Sequence, residues 1–278
     1  VTGHLRCCAK TVAALAVVTL GAVAADAAGD SVAAAPRHPP LFDHSPWHRI
    51  VRTHVDVTGR VAYKSIADAE ITLLRAYLES IAGARPEAWP RDDQIAFWLN
   101  AYNAGIVSAV LEGQDAESVI TRARLFKSWK FRVAGSDRTP DDIENQILRK
   151  QFQEPRIHFA LVCASVGCPP LRRSAYTADS LTLQLDDQAR RFINDPQHNV
   201  IDPASRRFEL SSIFDWFRAD FERASGTVPR YVARYVRDEN ARQWLLDGAV
   251  PTKYLEYDWS LNLQMFQRPE RRRPAAKR

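Results

Sequence analysis

Cysteine is scarce in this chain, and no apolar run is long enough to cross a membrane. Four cysteines in 278 residues, Cys7, Cys8, Cys163 and Cys168, leave few candidates for thiol chemistry or cross-links. The longest apolar run, "TVAALAVVTLGAVAA", falls short of the ~20 residues that a spanning helix needs. A glycine-rich phosphate loop, a serine nucleophile elbow and a paired-metal motif are all missing, which argues against nucleotide-dependent chemistry. No internal repeat is visible. What is present is ordinary globular composition: 46% of the residues are hydrophobic, enough for a substantial core in one large domain or two small ones.

The short apolar run follows Arg6 and Lys10 and ends in small side chains, the anatomy of a secretory signal peptide. We expect a leader over residues 1–25, with cleavage after Ala24 or Ala27, and a periplasmic or secreted protein. Its removal leaves Cys163 and Cys168 as the remaining cysteines in an oxidising compartment. Residues 26–45, with three prolines and few large apolar groups up to Leu41, read as a linker. The formal net charge of +5 is carried by the ends. Arg6 and Lys10 supply two positive charges, "RPERRRPAAKR" has six basic residues against one acid, and the stretch between is slightly acidic. A proline- and arginine-rich end without apolar period reads as a basic disordered tail over 263–278. That placement argues against nucleic acid as a partner and suggests weak contact of the tail with an anionic surface.

Between these ends helices outnumber strands, and the expected class is α+β: a mainly helical single domain, residues 46–262, around a small β-sheet. "DAEITLLRAYLESIAGA" spaces Ile71, Leu74, Leu78 and Ile81 as one helical face. "RDDQIAFWLNAYNAGIVSAVLEG" is apolar almost all round, so residues 92–112 should form a buried central helix. Asn100 and Asn103 lie on it; buried amides need partners, so they either tie down loop backbone or line a polar site. "FKSWKFRVAGSDRTPDDIENQILRK" predicts short strands, a turn, and a helix capped by Thr139 with Pro140 at its start. "IHFALVCA" reads as a buried strand, "LTLQLDDQARRFIND" as a helix, "NVIDPASRRFELS" as a hairpin and "SIFDWFRADF" as a helix.

The blocks "AFWLNAYNA", "DDIENQILR", "IHFALVCASVGCPPL", "LQLDDQARRFI", "LSSIFDWFRADF" and "YDWSLN" resemble, in this order, the bacterial and plant family called domain of unknown function 547, over roughly residues 60–262. The family has no assigned activity, so the resemblance implies positions and no reaction. Those that match are Asn100, Tyr102, Asn103, Glu144, His158, Cys163, Ser165, Cys168, Pro169, Asp258, Trp259 and Asn262. Asn103, Tyr102, Glu144, Ser165 and Asp258 are the candidate binding residues, and Cys163, His158 and Asn100 the candidate catalytic ones.

The chemistry divides two ways. A Cys–His dyad needs the imidazole within reach of the sulfur. On one extended strand, His158 and Cys163 would stand about 16 Å apart on opposite faces, so each would need partners from elsewhere. Cys163 and Cys168 can instead be bridged if "ASVG" bends, a staple contributing about 2 kcal/mol. Two functions follow. One is an exported binding or envelope-interaction protein with a disulfide-stapled Cys163–Cys168 loop beside an Asn/His-lined pocket. The other is a thiol-dependent transferase or hydrolase of papain-like or transglutaminase-like chemistry using Cys163, with Asn, His and Cys in unusual order. The partner would be a small molecule, a peptide or an envelope component. No cofactor is expected. His44, His48 and His54 are interrupted by Pro46, and no metal is assigned to them.

Overall fold

A computed structural model describes residues 41–113, 119–247 and 250–264. The expected leader, the linker up to residue 40 and the tail from residue 265 lie outside the described residues. Within them the architecture is mainly helical α+β with two small sheets, and no helix is long and apolar enough to cross a membrane.

Helix α1, Ser45–His54, carries Pro46 in its first turn, where a missing N–H costs nothing. Packing starts before it, because Phe42 meets Phe97 edge-on at 5.3 Å. Asp56 then accepts from the backbone N–H groups of Thr58 and Arg60, and Gly59, at φ 83°, closes the turn in a conformation that suits glycine. Helix α2, Asp68–Gly83, buries Leu74, Tyr77 and Ile81. Helix α3, Arg91–Leu111, buries 16 of its 21 residues, as its all-round apolar sequence requires.

Helix α4, Val119–Ser128, leads to the hairpin of β1, Phe131–Val133, and β2, Ser136–Arg138. Its two-residue turn, Ala134 and Gly135, has both φ angles positive, the geometry that matches strand twist. Thr139 then caps the following helix: its hydroxyl accepts from Asp142 N–H while Asp142 Oδ2 accepts from Thr139 N–H, a reciprocal box. The expected helix is present and is wound as a π helix over Asp142–Phe152. Ile143 and Ile147 still point inward, together with Leu148 and Glu144.

Helix α5, Leu181–Ile193, buries Leu181, Leu185, Ala189, Phe192 and Ile193, the face expected from their spacing. Strands β3, Val200–Asp202, and β4, Arg207–Ser211, form the expected antiparallel hairpin. "SIFDWFRADF" is not one helix: α6, Ile213–Trp216, and α7, Arg218–Ser225, break at Phe217. Phe217 leaves helical geometry with ψ 23°, and its ring stacks on His158 at 3.9 Å. Helices α8, Val228–Ala233, and α9, Glu239–Asp247, precede β5, Lys253–Leu255, which pairs in parallel with β4.

The buried apolar side chains form two clusters. One surrounds α3 with α1 and α2; the other gathers Phe159, Phe192, Phe214, Phe221 and Tyr231 among α5 to α9. The segment from Pro155 to Leu171 runs along their seam, with Ile157 in the first cluster and Phe159 in the second.

Candidate functional site

The seam segment is not the strand that its apolar composition suggested. Pro155 begins a single 3-10 turn, Pro155–Phe159, and Glu154 caps it by accepting from Arg156 N–H. An apolar run of this length does not by itself distinguish strand from helix. The next backbone groups are satisfied by a side chain instead of a neighbouring strand. Asn103 donates to Ala160 O at 2.9 Å and accepts from Val162 N–H at 3.0 Å. Asn100 does the same for Tyr176, donating to its carbonyl at 2.8 Å and accepting from its N–H at 2.9 Å. Both asparagines therefore tie loops to α3.

Beyond Val162 the chain turns sharply. Ala164 takes φ 61°, a left-handed conformation unfavourable for a residue with a Cβ. Val166 and Gly167 donate backbone hydrogen bonds to Ser260 O and Asp258 O at 2.7 and 2.8 Å. Gly167 is in close contact: a Cβ there would meet Tyr257 Cδ2 at 2.9 Å. The bend brings Cys163 and Cys168 together as expected, but as two free cysteines with sulfurs 2.7 Å apart; the bond between them is not shown.

Three further groups touch this sulfur pair. The Tyr257 hydroxyl lies 3.0 Å from Cys168 Sγ and 3.4 Å from Cys163 Sγ, Ser165 Oγ lies 3.6 Å from Cys163 Sγ, and Cys163 N–H donates to Cys168 Sγ at 3.0 Å. Hydrogen bonding with Cys168, helped by Tyr257 and Ser165, holds the Cys163 thiol below its ordinary pKa despite burial. Burial pushes Cys168 the other way. The pair is thus asymmetric, with Cys163 the more acidic thiol.

With Pro155–Phe159 wound as a 3-10 turn instead of a strand, His158 and Cys163 both line one pocket of about 410 Å³. Its wall is largely aromatic, with Tyr102, Phe126, Trp216, Phe217, Tyr257 and Trp259, joined by Ile106, Leu161, Ile213 and Pro169. Its ionisable members besides the thiols and tyrosines are Lys127, Glu144 and His158. His158 has a fully buried ring whose Nε2 lies 2.9 Å from Asp220 Oδ2. Asp220 also accepts from Arg149 Nε at 2.7 Å. Burial opposes the Asp220 charge, but the hydrogen bonds from His158 and Arg149 outweigh it and hold this carboxyl well below the usual range. Burial lowers the His158 pKa against the pull of Asp220, so the ring is neutral with its proton on Nε2. Among the described residues its bare Nδ1 has no hydrogen-bond partner, and it faces Glu144 Oε1 at 3.8 Å, beyond direct hydrogen-bond reach. Burial, then the charge on Cys163, pushes Glu144 up to about 8, so at neutral pH it is mostly a carboxylic acid.

Residues 86–193 match the family described as "Protein of unknown function, DUF547". This stretch is a DUF547 family domain. It is narrower than the resemblance over 60–262. No curated protein and no solved structure matches the chain.

The DUF547 stretch carries α3, the π helix, the seam segment and α5, and hence Tyr102, Glu144, His158, Cys163 and Cys168 of the pocket. Residues outside it complete the site: α6, Phe217, Tyr257, Trp259, and Asp220 behind His158. Of the sequence candidates, Asn100 and Asn103 are not in the pocket wall, so the expected Asn/His lining is corrected: their amides are spent on loop backbone. Asp258 is turned to Ser260, whose N–H and hydroxyl it accepts at 2.8 and 2.6 Å. Ser165 lies behind the sulfurs, and Asn262 accepts from the Tyr63 hydroxyl at 3.0 Å. Sequence reasoning missed Tyr257, Phe217, Asp220 and Arg149. All four sit in the quoted blocks "YDWSLN", "LSSIFDWFRADF" and "DDIENQILR", which was the available signal. Among the described residues no group of three or more His, Cys, Asp or Glu could hold a metal ion.

Proposed function

We propose that the protein binds a small, largely apolar molecule carrying a hydroxyl group, in the pocket between the two cores. The observation that carries this reading is the orphaned His158 Nδ1, buried in an otherwise aromatic wall and 3.8 Å from Glu144 Oε1. A buried acceptor without a partner is costly, and a ligand hydroxyl can relieve it. The hydroxyl donates to Nδ1 and accepts from the protonated Glu144 carboxyl, one oxygen serving both. The aromatic wall supplies affinity and the polar pair supplies orientation, the usual division in small-molecule sites. In an exported protein, the cysteine pair beside the pocket would close into the expected disulfide.

The test uses 2-naphthol and naphthalene, read by quenching of the pocket tryptophans Trp216 and Trp259. We expect 2-naphthol to bind at least about tenfold tighter, the order of one satisfied buried hydrogen bond, and Glu144→Gln with His158→Phe to abolish the difference. Equal affinity for the two probes, or no binding of either, defeats the reading.

A further inference from the structure

We infer that Cys163 and Cys168 are a reversible dithiol–disulfide couple that exchanges with small aromatic disulfides entering through the pocket, with Cys163 as the attacking thiol and Cys168 as the resolving one. The substrate class rests on the pocket reading above; the exchange step does not.

Four observations on the fold support it. The sulfurs are 2.7 Å apart without a bond, so closure needs a small approach of two side chains and no refolding. Cys163 is half-buried and Cys168 is buried, which gives the two thiols different access from the pocket they both line. The connecting loop is held at both ends: Asn103 fixes the backbone at Val162, and Ser260 and Asp258 fix Val166 and Gly167. Tyr257 places one hydroxyl against both sulfurs, where it can donate to whichever carries negative charge. The hydrogen-bond partners of Cys163 Sγ are Cys168, Ser165 and Tyr257. No imidazole is among them, which favours exchange, driven by thiolate character alone, over acyl transfer, which wants a base on the sulfur.

The step balances as follows. The Cys163 thiolate attacks one sulfur of R–S–S–R, forming a Cys163–S–S–R bond while the R–S–S–R bond breaks and one RS⁻ leaves. Cys168 gives its proton to that RS⁻ and attacks Cys163 Sγ, breaking the mixed disulfide and expelling the second RS⁻. One disulfide is reduced to RSH and RS⁻, and the two cysteines are oxidised to one disulfide.

The experiment uses the full chain with Cys7→Ser and Cys8→Ser, so that only the pair reports, reduced and then mixed with 2,2′-dithiodipyridine. We expect rapid release of two thiopyridones per chain and a product two hydrogens lighter that carries no adduct. Cys168→Ser should release one and retain the mixed disulfide. Cys163→Ser should react at least about tenfold more slowly, as an un-ionised buried thiol does. A persistent adduct on the unsubstituted pair, or reaction no faster than that of an unfolded-chain thiol, overturns the proposal even if 2-naphthol binds. A rate advantage over hydroxyethyl disulfide no larger than an unfolded-chain thiol shows, and unaffected by 2-naphthol, overturns the aromatic substrate class while the exchange chemistry stands.

Discussion

Tyr257 joins both apolar clusters to the sulfur pair. Its ring packs against both apolar clusters, lies 4.8 and 4.4 Å from the rings of Trp216 and Trp259, and fills the space beside Gly167. Its hydroxyl serves both sulfurs. Removing that oxygen alone, by Tyr257→Phe, leaves the packing in place and takes one donor from the Cys163 thiolate. A lost donor to a charged form raises the pKa of a thiol. A hydrogen bond to a charged group is worth about 1.5–3 kcal/mol, so the Cys163 pKa should rise by about one unit or more. The measurement is the pH profile of iodoacetamide alkylation at Cys163 under reducing conditions; an unmoved profile would show that the hydroxyl is a packing contact only. Gly167→Ala tests the same ring from behind. A Cβ forces Tyr257 to shift, so alkylation should lose its low-pH limb while α3 and its tethered loops keep their hydrogen-exchange protection. An unchanged limb would mean that the ring is not what positions the hydroxyl.

The seam segment is held at Ala160 and Val162 by the Asn103 side chain where a strand would be held by a ladder, and this is where sequence reading and structure part. Helices α2, α3 and α5 were legible because their burial repeats with the helix and their ends carry local signals. The β3–β4 hairpin was legible because short apolar runs flank turn residues, and the β1–β2 pair because of the turn signal in "AGSD". "IHFALVCA" carries no comparable local signal. Its conformation is decided by Asn103, more than fifty residues earlier, and by Asn262, more than ninety residues later, whose N–H donates to Ala164 O. The break at Phe217 is likewise decided by His158 and Arg149, on which its ring stacks and which covers it. The sulfur pair could be foreseen from spacing; its pocket could not, because its wall is drawn from both cores. Asn103→Ala should therefore cost more than a typical buried polar substitution. It strips partners from Ala160 C=O and Val162 N–H at once, at about 1–3 kcal/mol for each buried group left unpaired. Urea unfolding should register a loss of about 2–5 kcal/mol, and a loss below about 1 kcal/mol would mean that water or a shifted backbone replaces the amide.

Both cores close over ionisable groups, so the stability of the fold should depend on pH, and Glu144 acts between pH 4.5 and 8. Its pKa rises from 4.5 to about 8 on folding, mainly through burial and next through the neighbouring Cys163 charge. A carboxyl raised in this way favours the folded state fully below the unfolded pKa. That contribution is lost progressively between pH 4.5 and 8, at up to about 1.4 kcal/mol per pH unit, and stays lost above. His158 runs the opposite way: burial lowers its pKa, so its contribution is lost as pH falls, and Asp220, held low by His158 and Arg149, loses its own at still lower pH. These two groups remain when Glu144 is replaced, so they cancel to first order in a difference measurement. Glu144→Gln keeps the shape of the protonated carboxyl and cannot ionise. The Tm of the variant minus that of the parent should be near zero or negative at pH 5 and should climb steadily to a plateau above pH 8. Cys163→Ser in the parent should flatten part of that climb, because the thiolate is the second reason the carboxyl resists ionising. A Tm difference that stays constant from pH 5 to 9 would mean that Glu144 is solvated in the folded protein. It would then be no donor for a ligand hydroxyl at neutral pH, and the polar end of the pocket would rest on His158 alone.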